Sequence, residues 1–524
     1  MKDKLISEQL IFFIFFMTKN QSKRKTNKNK FGDDFLRSSG ILLPVSALPS
    51  DYGIGTMGDG AHEFIDFLCD SRQHYWQILP VGHTGFGDSP YQCFSAFAGN
   101  PYLIDPMLLS RSGYLKKDEV PTVGRSEKID YGNLYSVRLK IIKKAAGNVD
   151  VNSPEFIDFE RRNQLWLDDY ALFMAVKERE KMKPLRDWNE ALRLADADTF
   201  DRLRDENRMQ IRLWKCVQFL FFSQWDNLKR YANARNVEII GDVPIYVSAD
   251  SCEMWTHREL FVTDDDGNPA LFSGCPPDIY APLGQLWGNP VYDWNYQQKN
   301  GFRWWIERLE HSSKIFDVLR IDHFRGFEDF YAVESTASNA VLGEWYKGPS
   351  TEFIDAVKGS LPQLRIIAED LGNITDSVRK LLEYSGFPGM KVLQFAFDGS
   401  DNDFLPHNYQ HNCAAYTGTH DNPTMKQWML TADDAQLRFA EKYLHVNKGD
   451  DFVNACIRAL FSSVCDTVII PMQDWLSLGS EARINVPSTA FGNWTWRLTG
   501  EELTGSLKKR IAEMTKLYFR NIQE

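Results

Sequence analysis

Eight short apolar runs recur along this chain, and each ends in polar residues, glycine or proline. Their apolarity is continuous rather than alternating, which is typical of parallel strands that are covered on both faces. Helical patterns follow most of the runs, as expected for strands joined by helical crossovers. Eight such strands predict an α/β fold, a (β/α)₈ TIM barrel. The runs occupy residues 40–48, 75–82, 237–247, 316–324, 364–370, 389–397, 413–421 and 466–474.

The uneven spacing of these runs predicts subdomains inserted in the loops. We expect the barrel to occupy residues 38–515, with mainly helical insertions at about 100–235 and 248–310 on the C-terminal face. From residue 36 onward the sequence has no Pro/Ser/Gly-rich, low-complexity linker of the kind that joins separate domains. Residues 516–524 are expected to form a C-terminal tail.

The N-terminal segment is treated separately. "LIFFIFFM" (10–17) is apolar, and a Lys-rich stretch follows it. Eight apolar residues are too few to span a bilayer, and a signal peptide places its basic residues before the apolar run. Residues 1–37 are therefore predicted to be a disordered extension, with Met17 as an alternative start and a signal peptide as the weaker alternative.

Composition restricts the partners of the protein. The 524 residues carry a net charge of −11, which provides no basic surface for nucleic acid or for an anionic membrane. The eight cysteines are scattered, without a CxxC pair or metal-ligand spacing, and indicate reduced thiols and a cytoplasmic location. His323 and His420 also lack the spacing of metal ligands, so neither a metal nor another cofactor is expected.

Ionisable residues gather where the predicted strands end, which is the edge where barrels of this type build their active sites. Arg320 and Asp322 lie two positions apart and project from the same face of a strand, whereas His323 projects from the other face. A neighbouring guanidinium favours an ionised carboxylate, which suits a nucleophile. The residues at these strand ends are Asp242, Arg320, Asp322, Glu369, Asp370, His420 and Asp421.

Glu369 follows the apolar residues 366–368, and such a setting raises the pKa of a carboxyl group and suits a proton donor. Asp370, on the opposite face, is expected to be structural. A single carboxylate at a strand end is more often a helix cap or a loop hydrogen-bonder. Carboxylates at three strand ends, accompanied by an arginine and a histidine, instead indicate glycoside chemistry.

Three motifs carry a resemblance to a known family. "RIDHFRGF" (320–327), "IIAEDLG" (366–372) and "YTGTHDN" (416–422) are similar, in order and spacing, to the catalytic segments of glycoside hydrolase family 77. This is the amylomaltase, 4-alpha-glucanotransferase or disproportionating-enzyme family. The resemblance extends over roughly residues 38–515 through three further stretches, which are "GFGDSPYQCFSAFAGNPYLID" (85–105), "GQLWGNPVYDW" (284–294) and "NVPSTAFGNWTWR" (485–497).

The resemblance implies retaining transfer of α-1,4-glucan segments between maltooligosaccharides. It implies that Asp322 is the nucleophile, Glu369 the acid and base, and Asp421 a third carboxylate that binds sugar hydroxyls. It also implies that Trp287 lies in a loop that flanks the acceptor side. The remaining implied substrate-binding residues are Tyr91, Ser89, Asp242, Arg320, His420 and Asn422.

Two other functions remain open at this point. An α-amylase-like hydrolase would use the same carboxylates, and a non-catalytic glucan-binding protein is the alternative from a different class. The expected partners are α-1,4-glucans and maltooligosaccharides, with no nucleic acid and no membrane. The sequence leaves the oligomeric state open between monomer and dimer.

Overall fold

A closed barrel of eight parallel strands forms the centre of the protein. We describe it from a computed structural model that covers residues 37–521 except 86, 279, 280, 448 and 490. Each predicted apolar run contributes one strand, so the predicted (β/α)₈ fold is confirmed. Around the barrel the order is β1, β12, β11, β10, β9, β6, β3, β2. The barrel strands are β1 Ser38–Leu42, β2 Tyr75–Gln77, β3 Glu238–Pro244, β6 Val318–Asp322, β9 Ile366–Ala368, β10 Gly389–Val392, β11 Cys413–Tyr416 and β12 Thr467–Pro471.

Helices surround the barrel and fill the long connections between its strands. The two longest, α4 and α7, pack against each other in the connection between β2 and β3. The helices are α1 Asp59–Asp70, α2 Pro106–Arg111, α3 Tyr131–Ala146, α4 Pro154–Arg179, α5 Glu190–Arg193, α6 Ala197–Glu206, α7 Arg208–Asn233, α8 Cys252–Thr256, α9 Trp294–Lys299, α10 Arg303–Ile315, α11 Ser350–Ser360, α12 Asp376–Ser385, α13 Met425–Thr431, α14 Asp434–Leu444, α15 Phe452–Ser462, α16 Met472–Trp475 and α17 Gly505–Leu517.

A four-stranded antiparallel sheet, which the sequence did not predict, lies beside the barrel. Its order is β5, β4, β7, β8, so it joins strands that precede β6 to strands that follow it. These strands expose part of their surface, and half-exposed strands lack the continuous apolar run that marks the barrel strands. The four are β4 Leu271–Cys275, β5 Gln285–Pro290, β7 Asp329–Glu334 and β8 Gly343–Lys347.

The barrel interior is a packed apolar layer. Every barrel strand contributes to it, and its members are Leu42, Tyr75, Ile240, Val318, Ile367, Met390, Val392, Ala414, Tyr416 and Ile469. Successive inward-facing residues lie two positions apart along a strand. The next inward positions after Ile240, Val318 and Ile367 are Asp242, Arg320 and Glu369, so the apolar layer gives way to charged residues at the carboxyl ends of the strands.

Arg520, three residues beyond α17, is packed against the base of the barrel. The predicted start of a tail at residue 516 falls inside this helix, and Arg520 is fully buried. Its guanidinium donates to the carbonyl oxygens of Phe461 and Cys465 at 2.9 and 3.1 Å. The predicted disordered extension, residues 1–37, lies outside the described residues except for Arg37.

All eight cysteines are free thiols. No helix within the described ranges combines the length and the apolarity that crossing a bilayer requires.

Candidate active site

Arg320 lies at the centre of the charged layer. It donates to both carboxylate oxygens of Asp242 at 2.7 and 2.6 Å, and its other terminal nitrogen lies 2.9 Å from an oxygen of Asp322. Asp242 lies opposite Arg320 in the register of β3 and β6. Burial opposes the charge of Arg320, but Asp242 and Asp322 outweigh it and raise its pKa well above the usual value. Arg320 is therefore a permanent cation that fixes two carboxylates.

Asp322 and Glu369 emerge side by side at the ends of neighbouring strands. Ile321 lies opposite Ala368 in the register of β6 and β9, and the residue that follows each of them in the chain is one of these two carboxylates. Asp322 keeps part of its side chain exposed, whereas Arg320 beside it is buried. A carboxylate that is anchored from one side and open on the other is suited to attack a bound molecule.

Glu369 is held by two backbone N–H groups. The N–H of His323 donates to its Oε2 at 2.6 Å, and the N–H of Leu371 donates to its Oε1 at 2.8 Å. Burial and the neighbouring charge of Asp322 raise the pKa of Glu369 to about 7. This agrees with the direction that its apolar flanking residues predict, and a group with this pKa can both give and take a proton near neutral pH.

His323 contributes through its backbone, a role that the sequence did not indicate. Its φ of 54° and ψ of 51° lie in the left-handed region, which turns its N–H toward Glu369. Its ring packs edge-to-face on Trp287 with the ring centres 4.7 Å apart. Burial and the charge of Arg325 lower the pKa of His323 to about 3, so the ring is neutral at pH 7.

Tyr91 connects the two sides of the site. Its hydroxyl donates to Asp242 at 2.8 Å and lies 3.3 Å from Nδ1 of His420, and the Tyr91 and His420 rings stack 4.9 Å apart. Burial and the charge of Asp242 raise the pKa of Tyr91 well above its usual value. Tyr91 therefore stays protonated and donates a hydrogen bond.

His420 and Asp421 form an ion pair with Nε2 and Oδ1 3.3 Å apart. Burial disfavours a charged imidazole, but Asp421 outweighs it and raises the pKa of His420. Partial burial likewise disfavours the Asp421 carboxylate, but His420 and Asn485 outweigh it and lower its pKa to about 2. The side chain of Asp421 is 48% exposed, so this carboxylate is ionised and open to a ligand.

Two residues that support Asp421 were not identified from the sequence. Asn485 donates to its Oδ1 at 2.6 Å, and Arg483 donates to its backbone carbonyl at 2.9 Å. Both lie just after a short helical turn that ends at Ala482. The motif at 485–497 includes Asn485 but did not indicate which carboxylate it contacts, and Arg483 lies outside that motif.

Three of the predicted substrate-binding residues form hydrogen bonds with other residues of the protein. Ser89 Oγ accepts the N–H of Tyr91 at 3.2 Å, and Asn422 Oδ1 accepts the N–H and the hydroxyl of Thr419, each at 2.9 Å. Trp287 lies on strand β5 rather than in the expected loop, and its Nε1 donates to Gln285 at 3.1 Å. These contacts shape the rim around the carboxylates.

Asp370 points away from the other carboxylates, as its position on the strand predicts. Its Oδ1 accepts the N–H of Met390 at 2.6 Å, and burial raises its pKa to about 6. Within residues 37–521, apart from the five positions named above, no group of three or more His, Cys, Asp or Glu side chains has the geometry to hold a metal ion.

Comparison with known proteins gives a consistent result over nearly the whole chain. The model of glycoside hydrolase family 77, described as 4-alpha-glucanotransferase, matches residues 43–504. The 4-alpha-glucanotransferase of Clostridium butyricum is 44% identical over 485 residues, which cover 91% of this chain and 100% of that protein. That of Thermus thermophilus is 41% identical over 496 residues, covering 92% and 99%.

Solved structures agree with the sequence comparison. The amylomaltase from Streptococcus agalactiae in complex with acarbose superposes with a TM-score of 0.90 at 40% identity, covering 93% of this chain and 100% of that one. The amylomaltase from Corynebacterium glutamicum has a TM-score of 0.75 at 16% identity, covering 91% and 75%, and this likeness indicates a shared fold.

Proposed function

The chain belongs to the 4-alpha-glucanotransferases of glycoside hydrolase family 77, and we propose that it transfers α-1,4-glucan segments by a retaining double displacement at the site around Asp322. The donor and the acceptor are maltooligosaccharides or longer α-1,4-glucans. One observation carries the assignment of roles: a partly exposed carboxylate anchored by Arg320 lies beside Glu369, a carboxyl group with a pKa of about 7.

In the first step, Asp322 attacks the anomeric carbon of the donor. Arg320, which is itself held by Asp242, fixes Asp322 in place, so the attacking oxygen does not have to be ordered during the reaction. Glu369 gives its proton to the departing 4-oxygen as the glycosidic bond breaks. The products are a free reducing-end fragment and a glucan bound to Asp322 as an ester.

In the second step, Glu369 acts as a base toward the 4-hydroxyl of the acceptor. Forming the ester removes the negative charge of Asp322, and that charge is one cause of the raised pKa of Glu369. The pKa of Glu369 therefore falls in the intermediate, when the residue must accept a proton. The hydroxyl oxygen attacks the anomeric carbon, and Asp322 leaves as the free carboxylate.

We propose that Asp421 binds sugar hydroxyls through its ionised, half-exposed carboxylate, with His420 and Tyr91 beside it. Sugar rings present apolar faces, and the rings of Tyr91 and Trp287 at the rim suit such faces. A glucan held there reaches the ester at a far higher effective concentration than it has in bulk solution, which favours transfer over hydrolysis. We also propose that Ser89 and Asn422 contribute to substrate binding.

Incubation of the full chain with maltotriose tests this proposal. We expect glucose together with longer maltooligosaccharides, and the number of reducing ends should stay constant because each bond broken is replaced by another. Reducing ends that rise without chain lengthening would instead indicate a hydrolase, and an unchanged substrate would indicate a non-catalytic glucan-binding protein.

The acid and base role is tested by Glu369→Gln, with Asp370→Asn as the matched control. Both residues are partly buried carboxyl groups with raised pKa values, and they are neighbours in the chain. We expect the first substitution to lower the rate on maltotriose about 10²- to 10⁴-fold, the usual contribution of general acid–base catalysis, and the second to lower it far less. Equal losses in the two variants would contradict the assignment.

The eight free thiols support a cytoplasmic location, which we also propose.

A further inference from the structure

A second cleft, separate from the reaction centre, lies between inserted helices and the barrel. Its volume is about 920 Å³, and α4 and α7 form one side while α10 forms the other. None of the ten predicted site residues lines it. Its volume lies in the range that pockets for small molecules occupy.

Aromatic side chains form the inner wall of this cleft. Phe97, Trp166, Phe222 and Trp304 line it, and His311 lies among them with its ring centre 5.4 Å from those of Phe97 and Trp166. These four side chains keep 6–9% of their surface exposed, and the exposed ring edges offer an apolar surface to a ligand with C–H groups.

Two buried residues of the same wall carry polar atoms without a partner among the described residues. Glu253 is 2% exposed, and its Oε1 accepts from Ser95 Oγ at 2.8 Å and from the N–H of Ala96 at 2.9 Å, but its Oε2 accepts nothing. Trp304 is 8% exposed, and its Nε1–H has no acceptor. Such atoms also occur away from the cleft, as at Trp305 Nε1, but these two belong to residues that line it, where a polar ligand would satisfy them.

His311 offers a third polar atom. A carbonyl oxygen can only accept, so the ring nitrogen that lies 3.0 Å from the Phe97 carbonyl, Nε2, carries the proton. Burial lowers the pKa of His311 to about 4, and the neutral ring therefore presents Nδ1 as an acceptor. In the described part of the chain nothing donates to that nitrogen.

The charge of the cleft restricts the ligand further. Six carboxyl groups line it, against the basic side chains of Arg162, His257, Arg303 and Lys314. An anionic ligand such as a sugar phosphate or a nucleotide would meet a net negative surface. A neutral ligand with hydroxyl groups and apolar faces fits both the charge and the lining.

We propose that this cleft is a second saccharide-binding site, which holds one or two glucosyl units of an α-1,4-glucan. A sugar hydroxyl both donates and accepts, so it can donate to Glu253 Oε2 or His311 Nδ1 and accept from Trp304 Nε1–H. The C–H faces of the ring pack on the aromatic wall. The choice of an α-1,4-glucan rests on the proposed function, whereas the saccharide class rests on the cleft itself.

The test measures maltose binding by equilibrium dialysis with radiolabelled maltose in an Asp322→Asn background, which cannot form the covalent ester. Trp304→Phe removes the indole N–H and keeps an aromatic ring. Asn300→Trp places a large side chain at the exposed rim of the cleft. Trp305→Phe is the matched control, because Trp305 is also buried with an unpartnered Nε1 but does not line the cleft.

We expect the Asp322→Asn protein and its Trp305→Phe derivative to bind the same number of maltose molecules per chain. The Trp304→Phe and Asn300→Trp derivatives should bind one fewer, or bind it at least tenfold more weakly. Equal binding in all four proteins would overturn the proposal. Binding of glucose 1-phosphate that Trp304→Phe abolishes would overturn the neutral ligand class.

Failure of the second site is distinguishable from failure of the proposed function. In the active parent, Trp304→Phe and Asn300→Trp should disproportionate saturating maltotriose at the parental rate, since neither residue touches the reaction centre. If the protein transfers glucan but the variants bind maltose equally in dialysis, it has the proposed function without the second site. A protein that binds maltose in the cleft but performs no transfer has the site without the function.

Discussion

The backbone N–H of His323 donates to Oε2 of Glu369 at 2.6 Å, and it does so from a left-handed backbone conformation with φ of 54°. Left-handed φ values are uncommon outside glycine, although asparagine, aspartate and histidine adopt them more often than other residues do. The strand β6 ends at Asp322, so the reversal at the next residue turns the chain away and brings its N–H to the neighbouring carboxyl group. Asp322 is the candidate nucleophile, and the next residue, His323, orients the candidate acid Glu369.

Substitution of His323 should therefore affect the rate through the backbone. His323→Asn tolerates the left-handed region and should lower kcat on maltotriose by about threefold or less. His323→Val places a β-branched side chain there, at a cost of about 1–3 kcal/mol, and should lower kcat tenfold or more. Steady-state kinetics with maltotriose measures both values.

His445 provides a matched control, because it also adopts a left-handed conformation, with φ of 55°, at the end of α14. His445→Val should lower the melting temperature by an amount similar to His323→Val and leave kcat unchanged. Equal kcat losses in the two valine variants would show that the strain, rather than the contact with Glu369, determines the rate.

The rate should depend on pH through Glu369. Its folded-state pKa of about 7 means that the protonated form, which the first step needs, is present below pH 7 and is lost as pH rises through that value. We expect kcat/KM for maltotriose to fall about tenfold per pH unit on the alkaline side of neutral pH. A kcat/KM that stays flat up to pH 9 would contradict the role of Glu369 as the acid.

Removing the charge of Asp322 should lower the pKa of Glu369. The Asp322→Asn protein keeps the buried setting of Glu369 but lacks one of the two causes that raise its pKa. Carbon-13 NMR of the labelled Glu369 carboxyl should show a titration midpoint below that of the parent. A midpoint at or above the parental value would mean that Asp322 does not influence the acid.

The same raised pKa should cost stability at high pH. A carboxyl group whose folded-state pKa exceeds its unfolded value of 4.5 stabilises the fold below that value, and this stabilisation is lost as pH rises through about 7. The free energy of unfolding of Glu369→Gln, relative to that of the parent, should therefore increase by about 1–3 kcal/mol between pH 5 and pH 8, because the parent loses this stabilisation and the variant does not.

The change with pH, rather than the absolute difference, is the relevant quantity in that experiment. Both oxygens of Glu369 accept N–H groups, so a glutamine must turn its own amide nitrogen toward one of these donors at every pH. Denaturant unfolding of the two proteins at both pH values measures the change. A constant difference would contradict the raised pKa.

Trp287 should affect the choice between acceptor sugar and water. It packs on His323 at the rim, so its loss removes a stacking surface without removing a carboxylate. Trp287→Ala should lower the ratio of transfer to hydrolysis about fivefold or more, seen as reducing ends that rise faster than longer oligosaccharides form. Trp345→Ala, on strand β8, is the control and should leave the ratio unchanged.

Much of the barrel could be predicted because each of its strands carries its own signal. The apolar run at 316–324 can be recognised without knowing which strands will pair with it, and β6 Val318–Asp322 lies inside this run. The strand is shorter than the run because His323 reverses the chain. Strands β7 and β8 were missed because the pairing of β7 with β4 and of β8 with β7, rather than their own sequence, makes them part of a sheet.

The sequence by itself determined the eight-stranded barrel and which ionisable residues stand at the strand ends, since both follow from patterns within a few neighbouring residues. Only the tertiary structure decided that Arg320 holds Asp242 as well as Asp322, that Tyr91 reaches Asp242, and that the backbone of His323 holds Glu369. These contacts join residues up to 151 positions apart. They depend on the register between strands and on the closure of the barrel, which no local pattern encodes.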